Sequence, residues 1–75
     1  MSNCVIVISR TNDNKDWGLR NIVDVSPEGD RKIAVNEAWN TAALYISAWQ
    51  AAEPFTDFKT EMRDRNKLFD VNGFV

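Results

Sequence analysis

Between Ala38 and Ala52 the chain carries no formal charge, while Asp, Glu, Lys and Arg crowd the segments on both sides. Placed at 100° per residue, Trp39, Ala42, Ala43, Ile46 and Trp49 share one face of a helix, which Ala38, Tyr45 and Ala52 widen. That arc covers about half of the circumference. On the other half Leu44, Ala48 and Ala51 stand among Glu37, Asn40, Thr41 and Ser47. A helix lying on a small sheet normally turns charge to water, so this back, where Glu37 is the one charge among Leu, Ala and neutral polar groups, is a candidate second contact surface. The plainer reading is that alanine is a strong helix former and that one exposed Leu needs no partner.

The rest of the chain must build a core against this helix. With 75 residues it forms one domain, 1–75, because two halves would each be too small to bury a core. Without a staple, a core of this size rarely supplies more than about 3–5 kcal/mol. Cys4 is the only cysteine and cannot form an internal disulfide; with no His present, a zinc site lacks its preferred ligands. No metal or cofactor is expected. Stability then rests on packing that includes three Trp and four Phe, or on self-association, and a homodimer is the expected staple.

A net charge of −2 is neither the basic footprint of a nucleic-acid binder nor the strong acidity of a polyanion mimic. The apolar run Cys4 to Ile8 is too short for the core of a signal peptide and follows no basic residue. The uncharged stretch contains Asn, Thr, Ser and Gln and falls short of the roughly 20 apolar residues of a membrane span. A reducing cytoplasm and no membrane contact are the expectation.

Val5-Ile6-Val7-Ile8 is β-branched throughout and predicts a strand that is central or covered on both faces. The Asn- and Asp-rich run Arg10 to Asp16 predicts a loop. A second strand is expected over roughly Leu19 to Val25, with Leu19, Val23 and Val25 alternating against Arg20, Ile22 and Asp24. Ser26-Pro27-Glu28-Gly29-Asp30 predicts a hairpin turn, which makes Arg31 to Val35 a third strand; the competing reading starts a helix at Ser26 with Pro27 in its first turn. Asn36 would then cap the central helix, and Pro54 would end it near Ala52. Thr56 and Asp57 predict the start of a shorter C-terminal helix reaching about Lys67, with Phe55, Phe58 and Met62 on one face and Glu61 paired with Arg65. The apolar tail Leu68 to Val75 would add a short terminal strand or occupy a groove. The fold class expected is α+β: a three-stranded antiparallel meander, a central helix across it and a second, shorter helix.

Catalytic equipment is sparse. Without His, no side chain has an unperturbed pKa near neutrality, and acid-base work would need a carboxylate or lysine shifted by burial. Asp24 is the one acid with apolar neighbours, and a solvent-facing strand residue accounts for it better. Cys4 among Val and Ile has no base or cation in its vicinity, which predicts an inert thiol. Asn12, Asp13, Asn14 and Asp16 resemble part of a calcium loop but lack its central Gly and terminal Glu, so a polar loop is the better account. Gly18, Gly29 and Gly73 are isolated and make no phosphate cradle.

Arg20, Arg31 and Lys32 could line a nucleic-acid-binding sheet face beside Trp17, although Asp13, Asp16, Asp24 and Asp30 interleave with them and cancel the field. What is left over is apolar: Trp17, the Leu44, Ala48 and Ala51 face, and a tail containing Phe69 and Phe74. Large rigid aromatic side chains concentrate at interface cores, which makes these the candidate partner-binding residues. The functional expectation is a non-enzymatic protein that binds another protein, as a small regulator or inhibitor of the phage or mobile-element kind. The alternatives are a nucleic-acid-binding module on a sheet face and an accessory subunit of an enzyme.

Overall fold

The computed structural model describes residues 4–65. In chain order the elements are β1 (Cys4–Thr11), β2 (Gly18–Asp24), α1 (Arg31–Ala52) and β3 (Asp57–Asp64). They form a three-stranded antiparallel sheet in the order β2-β1-β3, with α1 packed across one face. The α+β class, the antiparallel sheet and the single long helix across it agree with the sequence. The third strand comes from a different segment, and no second helix follows the first among the described residues. The tail with Phe69 and Phe74, expected to add a strand or fill a groove, lies outside the described residues.

β1 is central because it is the segment able to bury both faces. Ile6 and Ile8 point towards α1, where Val23, Val25, Ala34, Ala38 and Ala42 complete the core. Val5 and Val7 point the other way, beside Leu19 and Ile22, and are fully buried. Ala34, Ala38 and Ala42 recur every fourth residue, so a row of methyl groups faces the sheet and lets the helix backbone approach closely. Trp39, Ile46, Trp49 and Phe58 then pack around the edge of this contact.

The segment Arg31 to Val35 is the first turn of α1 and not a strand. Asp30 is the N-cap: its backbone is extended, and its carboxylate accepts hydrogen bonds from the N–H groups of Lys32 (2.8 Å) and Ile33 (3.3 Å). This satisfies two of the donors that a helix start leaves unpaired. The helix therefore begins at Arg31, before the expected cap at Asn36. Ser26-Pro27-Glu28-Gly29 forms the approach to it, with Gly29 at φ 77° turning the chain into the cap. The β-branched Ile33 and Val35 cost a helix a few tenths of a kcal/mol each. Burial of Ala34 and packing of Val35 on the core outweigh that cost. Pro54 ends the helix at Ala52 as expected.

The segment Asp57 to Asp64, read from sequence as a helix, is the strand that pairs with the free side of β1. Phe58, Thr60 and Met62 alternate with Lys59, Glu61 and Arg63, and the apolar set lies opposite Arg10, Ile8 and Ile6. A spacing of four residues places Phe58 and Met62 on one face in either geometry, so that pair does not distinguish them. Thr56 caps no helix. Its hydroxyl donates to Asn12 Oδ1 (2.6 Å) and its carbonyl accepts from Gln50 Nε2 (2.9 Å), tying together the start of β3, the β1–β2 loop and the end of α1. Glu61 pairs with Arg63 (3.1 Å), and Arg65 reaches Asp24.

Candidate protein-binding surface

The exposed apolar side chains are concentrated on the helix and in the turn that follows it. Ile33 is 58% exposed, Leu44 72% and Phe55 91%. Ile33, Leu44, Ala48 and Ala51 fall on one stripe at helical spacing, pointing away from the sheet, and all four are exposed. Glu37 is the charged residue within the stripe. The internal cover that Phe55, Phe58 and Met62 were expected to supply is not there: Phe58 and Met62 lie on β3 and Phe55 faces solvent. Sequence reasoning identified Leu44, Ala48 and Ala51 but missed Ile33, because it placed the helix start too late. Phe55, next to Pro54, was assigned to a helix face that does not exist.

Trp17 belongs elsewhere. It precedes β2, and the ammonium of Lys59 lies 4.4 Å from its ring centre. Lys59 sits on the sheet face opposite α1, so Trp17 and the Leu44 stripe are on different sides of the molecule. Trp17 packs within the chain and is only partly exposed.

The proposed basic sheet face does not assemble. The pairing of β1 with β2 slips between Ile8 and Ser9, leaving Arg20 as the additional residue of a β-bulge. The bulge interrupts the simple alternation expected for this strand, so Leu19 joins Ile22 on the outer face and Arg20 turns towards the helix. There Arg20 makes a two-pronged pair with Glu53, Nη1 to Oε1 at 3.2 Å and Nη2 to Oε2 at 2.6 Å. Its guanidinium also lies 4.6 Å from the Trp49 ring and 5.9 Å from Phe58. Trp49 stacks in turn on Tyr45 (5.3 Å) and Phe58 (5.8 Å). Arg31 and Lys32 are in the first turn of α1, about 27 Å along the helix from Trp49 at 1.5 Å per residue. The three basic residues therefore share no surface.

The residues weighed for chemistry are held by structural roles. Asp13 Oδ1 accepts from Thr11 Oγ1 (2.9 Å), Lys15 N (2.9 Å) and Asp16 N (3.0 Å), organising the loop in which Asn14 adopts φ 63°. The backbone donors, Asp16 first, lower its pKa to about 2. Asp24 is exposed, as expected, and pairs with Arg65. Cys4 differs from expectation: it is only partly buried, and Arg31 Nη2 lies 3.4 Å from its sulfur. Among the described residues, no group of three or more His, Cys, Asp or Glu is placed to hold a metal ion. Among the described residues, no helix is long and apolar enough to cross a membrane. Comparison with known protein families, curated proteins and solved structures gives no match.

Proposed function

We propose that this protein acts by binding another protein, as a small non-enzymatic regulator or inhibitor that occludes its partner. The observation that carries the reading is the solvent-facing stripe of α1, where Ile33 and Leu44 stand exposed beside Ala48 and Ala51. Charged residues are depleted at the centres of interfaces, and an apolar stripe at helical spacing is the pattern by which a helix enters a partner's groove. A phage or mobile-element regulator and an accessory subunit of an enzyme would both use this surface. Cytoplasmic location accompanies the proposal. Nucleic-acid recognition by Arg20, Arg31 and Lys32 has no shared surface to support it.

The test is affinity purification from the native host with wild-type protein and Leu44→Glu, each checked by circular dichroism. A partner recovered by the wild type and lost with a folded Leu44→Glu supports the proposal. Equal recovery by both proteins, or no specific partner for either, refutes it.

A further inference from the structure

Between the alanine row that meets the sheet and the Leu44 stripe, α1 carries a third row of side chains. At intervals of four residues it reads Trp39, Ala43, Ser47 and Ala51, and four further on, in the turn that closes the helix, stands Phe55. Rows of this spacing are the ridges by which helices interlock. Ala43, Ser47 and Ala51 are exposed, Trp39 is half-buried and Phe55 is 91% exposed. The four helix residues line an open groove of about 580 Å³ whose other wall includes Thr60 of β3, and no charged side chain lines it. The fold holds Phe55 in place without burying it. Pro54 fixes the backbone before it, the Glu53 N–H donates to the Trp49 carbonyl (2.7 Å), and the Thr56 N–H donates to the Glu53 carbonyl (3.1 Å).

We propose that α1 packs antiparallel on α1 of a second copy, with Ser47 on the two-fold axis. Ala43 then faces the partner's Ala51 and Trp39 faces the partner's Phe55, each pair occurring twice. Helices interlocked by such rows cross at about 50°, so they touch closely at the centre and diverge towards the ends. Small residues at the centre and aromatic ones at the ends match that shape. Other registers fail the match. Moving the axis one turn to Ala43 sets Trp39 against the partner's Ser47 and Phe55 against the partner's Arg31. Moving it to Ala51 sets Ser47 against the partner's Phe55 and carries Trp39 past the end of the partner's helix. Because Ala38 to Ala52 carries no charge, the contact buries no ion and opposes no like pair along its length.

The area suffices for a weak but specific dimer. From Trp39 to Ala51 the row spans about 18 Å of helix, and a buried Phe contributes about 150–250 Å². Two Phe55 side chains, the groove walls they cover and the small-residue crossing together approach the roughly 1,200 Å² at which specific interfaces begin, so association at micromolar concentration is expected. The dimer adds apolar burial to a chain whose buried helix side chains are all alanine. It shares Ala51 alone with the stripe of Ile33, Leu44, Ala48 and Ala51, so it does not rest on the protein-binding proposal.

The test uses the full chain, with each variant checked for the helical circular dichroism of the wild type. Sedimentation should show a dimer that Ser47→Glu weakens by more than about tenfold, since one substitution sets two carboxylates against each other on the axis. Phe55→Ser should weaken it about tenfold and leave the monomer folded, because Phe55 is not part of the core. Ala43→Glu should also weaken it about tenfold, and adding Ala51→Lys should restore it: eight residues apart on one helix, the two positions can pair only across the interface. In a Cys4→Ser background, Ser47→Cys should form a disulfide-linked dimer on mild oxidation, because axes about 8–10 Å apart with Cα atoms at a radius of about 2.3 Å bring facing Cα atoms within disulfide range. Ala48→Cys should not. A protein that stays monomeric at high concentration overturns the proposal. A dimer insensitive to Ser47→Glu but broken by Leu44→Glu overturns it in favour of the Leu44 stripe, and crosslinking through Ala48→Cys in place of Ser47→Cys, or no rescue by Ala51→Lys, overturns the register.

Discussion

Replacing Arg20 by alanine should destabilise the domain by about 2 kcal/mol, a large effect for a residue on the rim of so small a fold. The side chains of the Arg20–Glu53 pair are 27% and 34% exposed, so solvent screens the pair in part. A two-pronged arginine–carboxylate pair in that setting contributes about 1 kcal/mol. Position over the Trp49 ring adds about 0.5–1 kcal/mol, and the buried stem of the side chain adds a few tenths. In urea or thermal unfolding, about 2 kcal/mol corresponds to a fall in Tm of about 8–16 °C for a domain of this length. A double-mutant cycle of Arg20→Ala and Glu53→Ala should return a coupling of about 1 kcal/mol, reduced at 1 M salt. Arg20→Lys should recover less than half of the loss, because an ammonium cannot make the forked contact or stack as a plane. Additive single mutants, with a Tm change under about 2 °C and a fall in heparin retention, would refute the argument and return Arg20 to a solvent-facing role.

Two further predictions concern local order. Asp30→Ala should cost about 1 kcal/mol in denaturant unfolding through loss of the cap at Arg31, whereas Asn36→Ala should cost nearly nothing; equal effects would mean that the helix starts later. The folded pKa of Asp13 lies near 2, below the ordinary 3.8 of an aspartate, so its contribution is fully present above pH 4 and disappears as pH falls through about 2. The Asp13 carboxyl resonance should therefore titrate near pH 2, with the amides of Lys15 and Asp16 shifting together with it. Titration near pH 4 would show that the loop bonds do not hold in solution.

How legible each part was depended on whether the local signal had one geometric meaning. Four consecutive β-branched residues have few ways to be buried other than as a central strand, and β1 is central. The uncharged stretch ending before Pro54 is a helix because its period and its stop agree. For Arg31 to Val35, intrinsic preference favoured a strand, but a capping carboxylate one residue earlier and the alanine row beginning at Ala34 outweighed it. For Asp57 to Asp64 the pattern was ambiguous, since Phe58 and Met62 share a face at period two and at period 3.6 alike. The free side of β1 resolved it by offering backbone partners along the whole strand.

The candidate surface divides in the same way. Leu44, Ala48 and Ala51 could be placed on the back of the helix from their spacing, because a helix sets the relative direction of its own side chains. That Trp17 lies on the far side of the sheet, that Arg20 turns inward at a bulge, and that Asp57 to Asp64 pairs with β1 could not be read locally. Each depends on which segments pair and in what register, and a shift of one residue reverses the face a side chain takes. The sequence alone determined a central apolar strand, a helix through the uncharged stretch from Ala38 to Ala52 and an apolar stripe along its back. Tertiary structure decided what completes the sheet and which side chains remain facing solvent, because strand pairing is a contact between distant segments and burial is known only once both partners are in place.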